Sequence, residues 1–151
     1  MSKQLQVAAI QNGTVIDHIP NEKLVEVVRL LHLERLPNSS IMIGYNLNSE
    51  QLGHKSLIKV SNHYFSKEEL DTLCIAIPNA TLSIIEDYQI KEKRAFDMPS
   101  DFDNIVVCPN PMCITNNEPM PTKFHYCADK KVLKCHYCGK EVETDEVRFT
   151  K

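Results

Sequence analysis

Four cysteines toward the C-terminal end, Cys108, Cys113, Cys135 and Cys138, fall into two short pairs, and a chain built this way is constrained to bring two tight turns together. The pattern reads as a tetrathiolate metal site. A tetrahedral Zn²⁺ takes four soft ligands at about 2.3 Å, and two turns presenting two thiolates each supply them. The second pair, Cys135-His136-Tyr137-Cys138-Gly139, has the two-residue gap of a zinc knuckle, with Gly139 where the turn needs a positive φ. The first, Cys108-Pro109-Asn110-Pro111-Met112-Cys113, has a four-residue gap stiffened by two prolines. The 21 residues from Ile114 to Lys134 suffice for a loop and a hairpin strand between the two knuckles.

The alternative is a pair of disulfides or a set of unrelated buried thiols. Disulfides belong to oxidising compartments. The opening Met-Ser-Lys-Gln has no apolar h-region and no stretch approaches a membrane span, so the expected location is a reducing cytoplasm, with no membrane partner. The long-gap pair favours Zn²⁺ over iron. Four thiolates close the coordination sphere and leave no position for water or substrate, so the metal is expected to be structural rather than catalytic. Cys127 belongs to no close pair and His136 sits inside a knuckle, which makes both bystanders. Cys74 lies in an apolar helical pattern and reads as core.

Charge excludes another class. The net charge is −3, with ten basic against eleven acidic residues up to position 95 and seven against nine after it. A zinc-ribbon module binding nucleic acid concentrates Lys and Arg to neutralise phosphates. Neither half does so, and the local group Lys130, Lys131 and Lys134 is interleaved with Asp129, Glu141 and Glu143. An independent metalloenzyme fares no better, because no acid/base cluster accompanies the thiolates.

The rest of the chain reads as an α+β unit. Leu5 to Ile10 and Thr14 to Ile19 are β-branched runs around an Asn12-Gly13 turn signal. Pro20-Asn21 opens a helix expected to reach Leu36, with Leu24, Val27, Val28 and Leu31 on one face and Pro37 as its stop. Ile41 to Leu47 and Leu57 to Val60 read as strands around a polar connection, Asn48 to Lys55. Ser66 and Glu69 form a capping box, with Phe65 and Leu70 as a staple, for a second helix ending at Pro78. Thr81 to Ile90 reads as a closing strand. The order β-α-β-β-α-β is that of a ferredoxin-like split βαβ fold. Residues 91–103, containing Pro99, show neither period and are expected to connect this unit, 1–95, through a linker over 96–103 to a small all-β metal unit over 104–151.

No catalytic constellation appears in the first unit. Asp17 and His18 are sequence neighbours, and neighbours on a regular strand point to opposite faces. There is no Gly-rich phosphate loop and no Ser elbow. Lys55, Lys59 and Lys93 lie on elements that adjoin in such a sheet, and lysines converging on one face suit an anionic metabolite.

Four strings carry a family resemblance: Leu5-Gln6-Val7, Gly13-Thr14-Val15-Ile16-Asp17-His18-Ile19-Pro20, Leu57-Ile58-Lys59-Val60 and Asn104-Ile105-Val106-Val107-Cys108-Pro109-Asn110. Together with the cysteine spacing, the chain resembles the regulatory chain of aspartate carbamoyltransferase over nearly its whole length. The resemblance implies a non-catalytic subunit that dimerises with itself and links trimers of the catalytic chain in a dodecamer. It implies CTP as inhibitor, ATP as activator and UTP acting with CTP, bound at an allosteric domain that precedes a structural-zinc domain. By matching position, Asp17 and Lys59 would lie near ribose and base and Lys93 on the phosphates. Val7, Ala9, Ile10, Ile85, Tyr88 and Ile90 would surround the base, with His18 and Lys55 at the phosphate end. The chain departs from the family pattern at Ala8, where the family has an acidic residue, at Ser83, where it has Asn, and at Gln11 and Asn12, which replace basic residues.

Overall fold

Alternating burial decides the first unit. In β1 (Gly13–Ile19), Thr14 and Ile16 are buried while Val15 and Asp17 are only half-buried, so one face of the strand belongs to a core. The computed structural model describes residues 9–50 and 52–150. β2 (Ile41–Ser49), β3 (Gly53–Ser61), β4 (Thr81–Glu86) and β5 (Gln89–Ala95) complete a five-stranded sheet ordered β2-β3-β1-β4-β5, with every neighbouring pair antiparallel. Through β4 this is the split βαβ order. Helices α1 (Leu24–Leu30) and α2 (Lys67–Ala76) cover one face, where Ile16, Ile58, Val60 and Leu82 pack against Leu24, Val27, Leu31, Leu73 and Ile77. Among the described residues, no helix is long and apolar enough to cross a membrane.

Three elements differ from the sequence expectation, each for a physical reason. The first helix does not run to Leu36. A 3-10 turn at Asn21–Lys23 leads into α1, His32 then adopts the left-handed conformation at φ 51°, and a second 3-10 turn spans Leu33–Arg35. Leu31 and Leu33 are both buried. Two residues apart on a continuous helix they would point about 200° apart, and the turn at His32 lets both reach the core.

The polar connection Asn48 to Lys55 is largely strand. Leu47, Asn48 and Ser49 pair with Lys55, His54 and Gly53 at the end of the β2–β3 hairpin, where none of these residues is buried and no apolar alternation is required. The strand expected over Thr81 to Ile90 is two. Asp87 and Tyr88 have φ of 52° and 65° and reverse the chain, so that Lys93 and Ala95, from the expected connector, pair with Ser83 and Thr81. β5 is exposed along its whole length and carries Lys91, Glu92, Lys93 and Arg94, the charge that protects a sheet edge. The run Leu5 to Ile10 lies outside the described residues up to position 8, and Ala9 and Ile10 belong to no regular element.

At the other end of the connector, β6 (Asp101–Asp103) joins the second unit. It heads a sheet ordered β10-β9-β8-β6, with β8 (Lys123–Cys127), β9 (Val132–Cys135) and β10 (Glu141–Glu143). A two-stranded ladder pairs β7 (Val106–Val107) with β11 (Arg148–Phe149). Phe102, Phe124, Leu133 and Val106 fill a small core that includes Cys108, Cys113 and Cys135. Ile75 of α2 belongs to this second core rather than the first.

Candidate functional site

The cysteine turns are held by their own backbones. Cys108 follows β7, and the chain folds back so that Cys113 N–H donates to Asn110 O at 3.0 Å. In the second turn Gly139, at φ 79°, lets its N–H reach Cys135 O at 3.0 Å, while Cys135 N–H donates to Lys140 O at 2.9 Å. The first turn has further pins that the spacing of cysteines does not reveal. Asn116 Nδ2 donates to Cys108 O at 2.9 Å and Asn110 O at 2.7 Å, and Asn117 Nδ2 donates to Pro111 O at 3.1 Å and Cys113 O at 2.8 Å. The Asn-Asn pair just past the second ligand was the available sequence signal. These amides tie the long gap into one rigid loop.

The four sulfurs meet. All lie within 4.8 Å of one another, with Cys108 Sγ 3.6 Å from Cys138 Sγ and Cys113 Sγ 3.7 Å from Cys135 Sγ. Each short pair joins one turn to the other. Thiolates bound at about 2.3 Å to a tetrahedral ion sit about 3.8 Å apart, whereas a disulfide needs about 2.0 Å. The spacing therefore fits a metal and excludes disulfide bonds in this arrangement. Without metal the thiols are unevenly disposed to ionise. Burial pushes Cys108 up to about 12 and raises Cys135 also. At Cys138 burial opposes ionisation, but the Lys140 N–H, the Asn110 side chain and the neighbouring sulfurs outweigh it and bring the thiol down to about 7. Cys127 is half-buried and lies outside the cluster. Cys74 is a core thiol whose Sγ donates to Asp97 O at 3.3 Å, and burial lifts it to about 11.

On the first unit, strand register gathers the expected nucleotide residues. Met42 pairs with Lys59, Lys59 with Val15, Val15 with Ser83 and Ser83 with Lys93, a single level crossing all five strands on the face away from the helices. Asp17 lies two residues along β1 from this level and pairs with Lys55 at 2.9 Å. Partial burial lowers the pKa of Lys59, opposed by the nearby Asp17 carboxylate. In the other direction Ile85 is buried opposite Ile90, which is exposed, and Tyr88 is exposed at the tip of the β4–β5 turn. Ile10 is buried and Ala9 exposed. Val7 and Ala8 lie outside the described residues.

His18 departs from a regular strand. Its φ of 60° makes a bulge between Ile16 and Ile19, which lets both isoleucines face the core. Even so, Asp17 and His18 engage different partners: the carboxylate accepts from the His18 backbone N–H and faces Lys55, while the ring contacts Thr81 Oγ1 at 3.1 Å. Gln11 and Asn12 have local work. Gln11 O accepts from Tyr88 N–H, and Asn12 Oδ1 accepts from Asp87 N–H, so both secure the β4–β5 turn.

Two family models match the chain. A family model described as aspartate carbamoyltransferase regulatory chain, allosteric domain, matches residues 5–97, and one described as the metal binding domain of the same chain matches 100–148. The chain is similar to the aspartate carbamoyltransferase regulatory chain of Phocaeicola vulgatus, at 51% identity over 96% of this chain and 94% of the relative. It is 50% identical to that of Bacteroides thetaiotaomicron over 95% and 94%. It is 39% identical to the aspartate carbamoyltransferase regulatory chain of Pyrococcus abyssi over 95% of this chain and 96% of the relative.

Proposed function

The chain belongs to the aspartate carbamoyltransferase regulatory-chain family, a non-catalytic subunit of that enzyme, and from this premise we propose that it binds CTP and ATP, with UTP acting beside CTP, and transmits their presence to catalytic chains. The observation that carries the reading is the Lys59–Ser83–Lys93 level beside the Asp17–Lys55 pair. Lys93 at one end of this level suits the phosphates and Lys59, three strands away, suits the base and ribose, with Asp17 an acceptor for ribose hydroxyls. Ile85, Ile90 and Tyr88, with Ala9 and Ile10, offer an apolar border for a base, and His18 and Lys55 belong to the phosphate end. Replacing Asn by Ser83 shortens the polar side chain in the middle of the level, which bears on how cytosine and adenine are told apart.

The nucleotide acts by linkage. It shifts the activity of another chain only as far as its affinity differs between two quaternary states, typically about 1–3 kcal/mol. In the second unit the metal is Zn²⁺ in a structural role, held by Cys108, Cys113, Cys135 and Cys138. Borderline-soft Zn²⁺ suits four thiolates at these separations, and four ligands leave no open position. Met112, Ile114 and Tyr137, all exposed on or beside the two knuckles, supply apolar surface for docking on the catalytic chain. Exposed Ile43 and Tyr45 on the edge strand β2 support self-association into a regulatory dimer.

Co-purification with a catalytic chain, followed by carbamoyltransferase assays with CTP and ATP added separately, tests the proposal. The expected result is inhibition by CTP and activation by ATP in the assembly, with neither acting on the catalytic trimer alone. An assembly indifferent to every nucleotide, from a chain showing no calorimetric binding, would sink it.

A further inference from the structure

We propose that Tyr64 is a positioning residue of the nucleotide site: its hydroxyl, bonded to the Ile85 carbonyl, fixes the β4–β5 turn that borders the base. This role rests on the nucleotide reading of the same face. It adds a side chain that acts through another residue.

The turn needs holding. Asp87 and Tyr88 both adopt left-handed backbone conformations, φ 52° and 65°, which residues with a Cβ occupy only when their surroundings impose them. The β4–β5 register also shifts between Ile84 and Ile85, so the ladder is irregular where the turn begins. Three bonds from outside the hairpin secure it. Tyr88 N–H donates to Gln11 O at 2.9 Å, Asp87 N–H donates to Asn12 Oδ1 at 3.1 Å, and Tyr64 Oη donates to Ile85 O at 2.9 Å. The first two come from the chain entering β1, the third from the connection between β3 and α2.

Topology brings Tyr64 to this place and packing fixes it there. β1 lies between β3 and β4, with Gly13 opposite both Ser61 and Ile85, so the connection leaving β3 passes the start of β1. It is clasped on the way. Asn62 N–H donates to Asn12 O at 2.8 Å, and the buried Thr14 Oγ1 donates to His63 O at 2.8 Å. The rings of His63 and Phe65 meet edge-on at 4.6 Å, Phe65 packs on the first core, and Ser66 caps α2. Tyr64, between these anchors, belongs to neither core and is 47% exposed. Burial therefore does not account for a tyrosine here; its ring carries a hydroxyl donor to one carbonyl. Ile85 is two residues along β4 from Ser83, so fixing its carbonyl sets the apolar border of the base against the Lys59–Ser83–Lys93 level. A border held in place before binding spares the cost of ordering it on binding.

The test is calorimetry of the full chain with CTP and, separately, with inorganic tripolyphosphate, which offers the lysines a polyanion and the turn nothing. Tyr64→Phe keeps the ring and removes the donor. CTP binding is expected to weaken about three- to tenfold, the worth of one hydrogen bond, while tripolyphosphate binding stays as in the wild type. Amide exchange should quicken at Asp87 and Tyr88 and stay unchanged in the β1–β3 ladder. Unchanged CTP affinity, an equal loss for both ligands, or exchange that quickens throughout the sheet would overturn the positioning role. A wild-type chain that binds no CTP would overturn the nucleotide reading itself, and this role with it.

Discussion

The two halves of this molecule gather their functional groups in opposite ways. The metal centre takes four ligands from two turns, each short enough that its own backbone sets the geometry. The face proposed for the nucleotide takes Lys59, Ser83 and Lys93 from three strands that sheet register sets level, with the Asp17–Lys55 pair beside them. The first design concentrates energy in a few bonds whose loss is catastrophic. The second spreads it, so that one side chain modulates affinity without threatening the fold. The small second core, built around Phe102, Phe124 and Leu133, is the reason its half is expected to depend on the metal.

The largest effect should therefore come from the cysteines. Structural zinc contributes about 10–16 kcal/mol of binding free energy in small modules. Cys135→Ser, or treatment with a strong chelator, is expected to unfold the second unit and release the catalytic chain while the first unit stays folded. Size-exclusion with the catalytic chain and amide NMR of each half would show it. Normal assembly of the metal-free chain would remove the contact-arm idea.

The sheet has a point of failure of its own, in backbone rather than ligand. Gly13 has φ 142°, and a Cβ there would stand 2.1 Å from Val60 O and 3.0 Å from Ser61 Cα. Neither atom can move without breaking the β1–β3 ladder. Gly13→Ala is expected to cost the first unit about 3 kcal/mol or more in denaturant unfolding, leaving metal content unchanged. A loss of only a few tenths would mean that β1 and β3 do not approach so closely.

This contrast also explains what could be read from sequence. The cysteine quartet was legible because ligand spacing is local. So was the start of α2, where Ser66 Oγ accepts from Glu69 N–H at 3.2 Å and Glu69 reaches back to Ser66 N–H at 2.9 Å. The left-handed residues His18, His32, Asp87 and Tyr88 were not, because none is a glycine and each conformation is imposed by packing or pairing elsewhere. Register was equally hidden. Sequence could name Lys59 and Lys93 as neighbours in a sheet, but only the Val15 and Ser83 pairings set them at one height. Asn116 and Asn117 were passed over because loop amides look alike until the carbonyls they meet are known.

At the distributed site the expected loss is smaller. Lys59→Ala should weaken CTP by about 1.5–3 kcal/mol, the range for a hydrogen bond to a charged group, without altering the isolated catalytic trimer. Its pKa lies below the ordinary lysine value because of partial burial. The sign follows: Lys59 loses its charge at lower pH than an exposed lysine, so CTP affinity should fall earlier on the alkaline side in the wild-type chain than in Lys59→Arg. Calorimetry across alkaline pH measures both. Unchanged affinity in Lys59→Ala would take this residue out of the site.

The smallest change tests whether the two halves are separable at all. Helix α2 serves both cores: Leu73 and Ile77, one turn apart, face the first, while Ile75 between them packs with the cluster of Phe102, Ile105 and Val106 in the second. A helix with two such faces is shared by the first and second units. Ile75→Val removes one methylene from that contact, at a cost of about 0.5–1.5 kcal/mol. If α2 carries the coupling, this variant should keep CTP affinity and metal content yet show a reduced CTP effect on catalytic activity in the assembly. A full nucleotide response despite the measured loss of stability would show that the halves communicate by another contact, and the comparison would have to be redrawn around it.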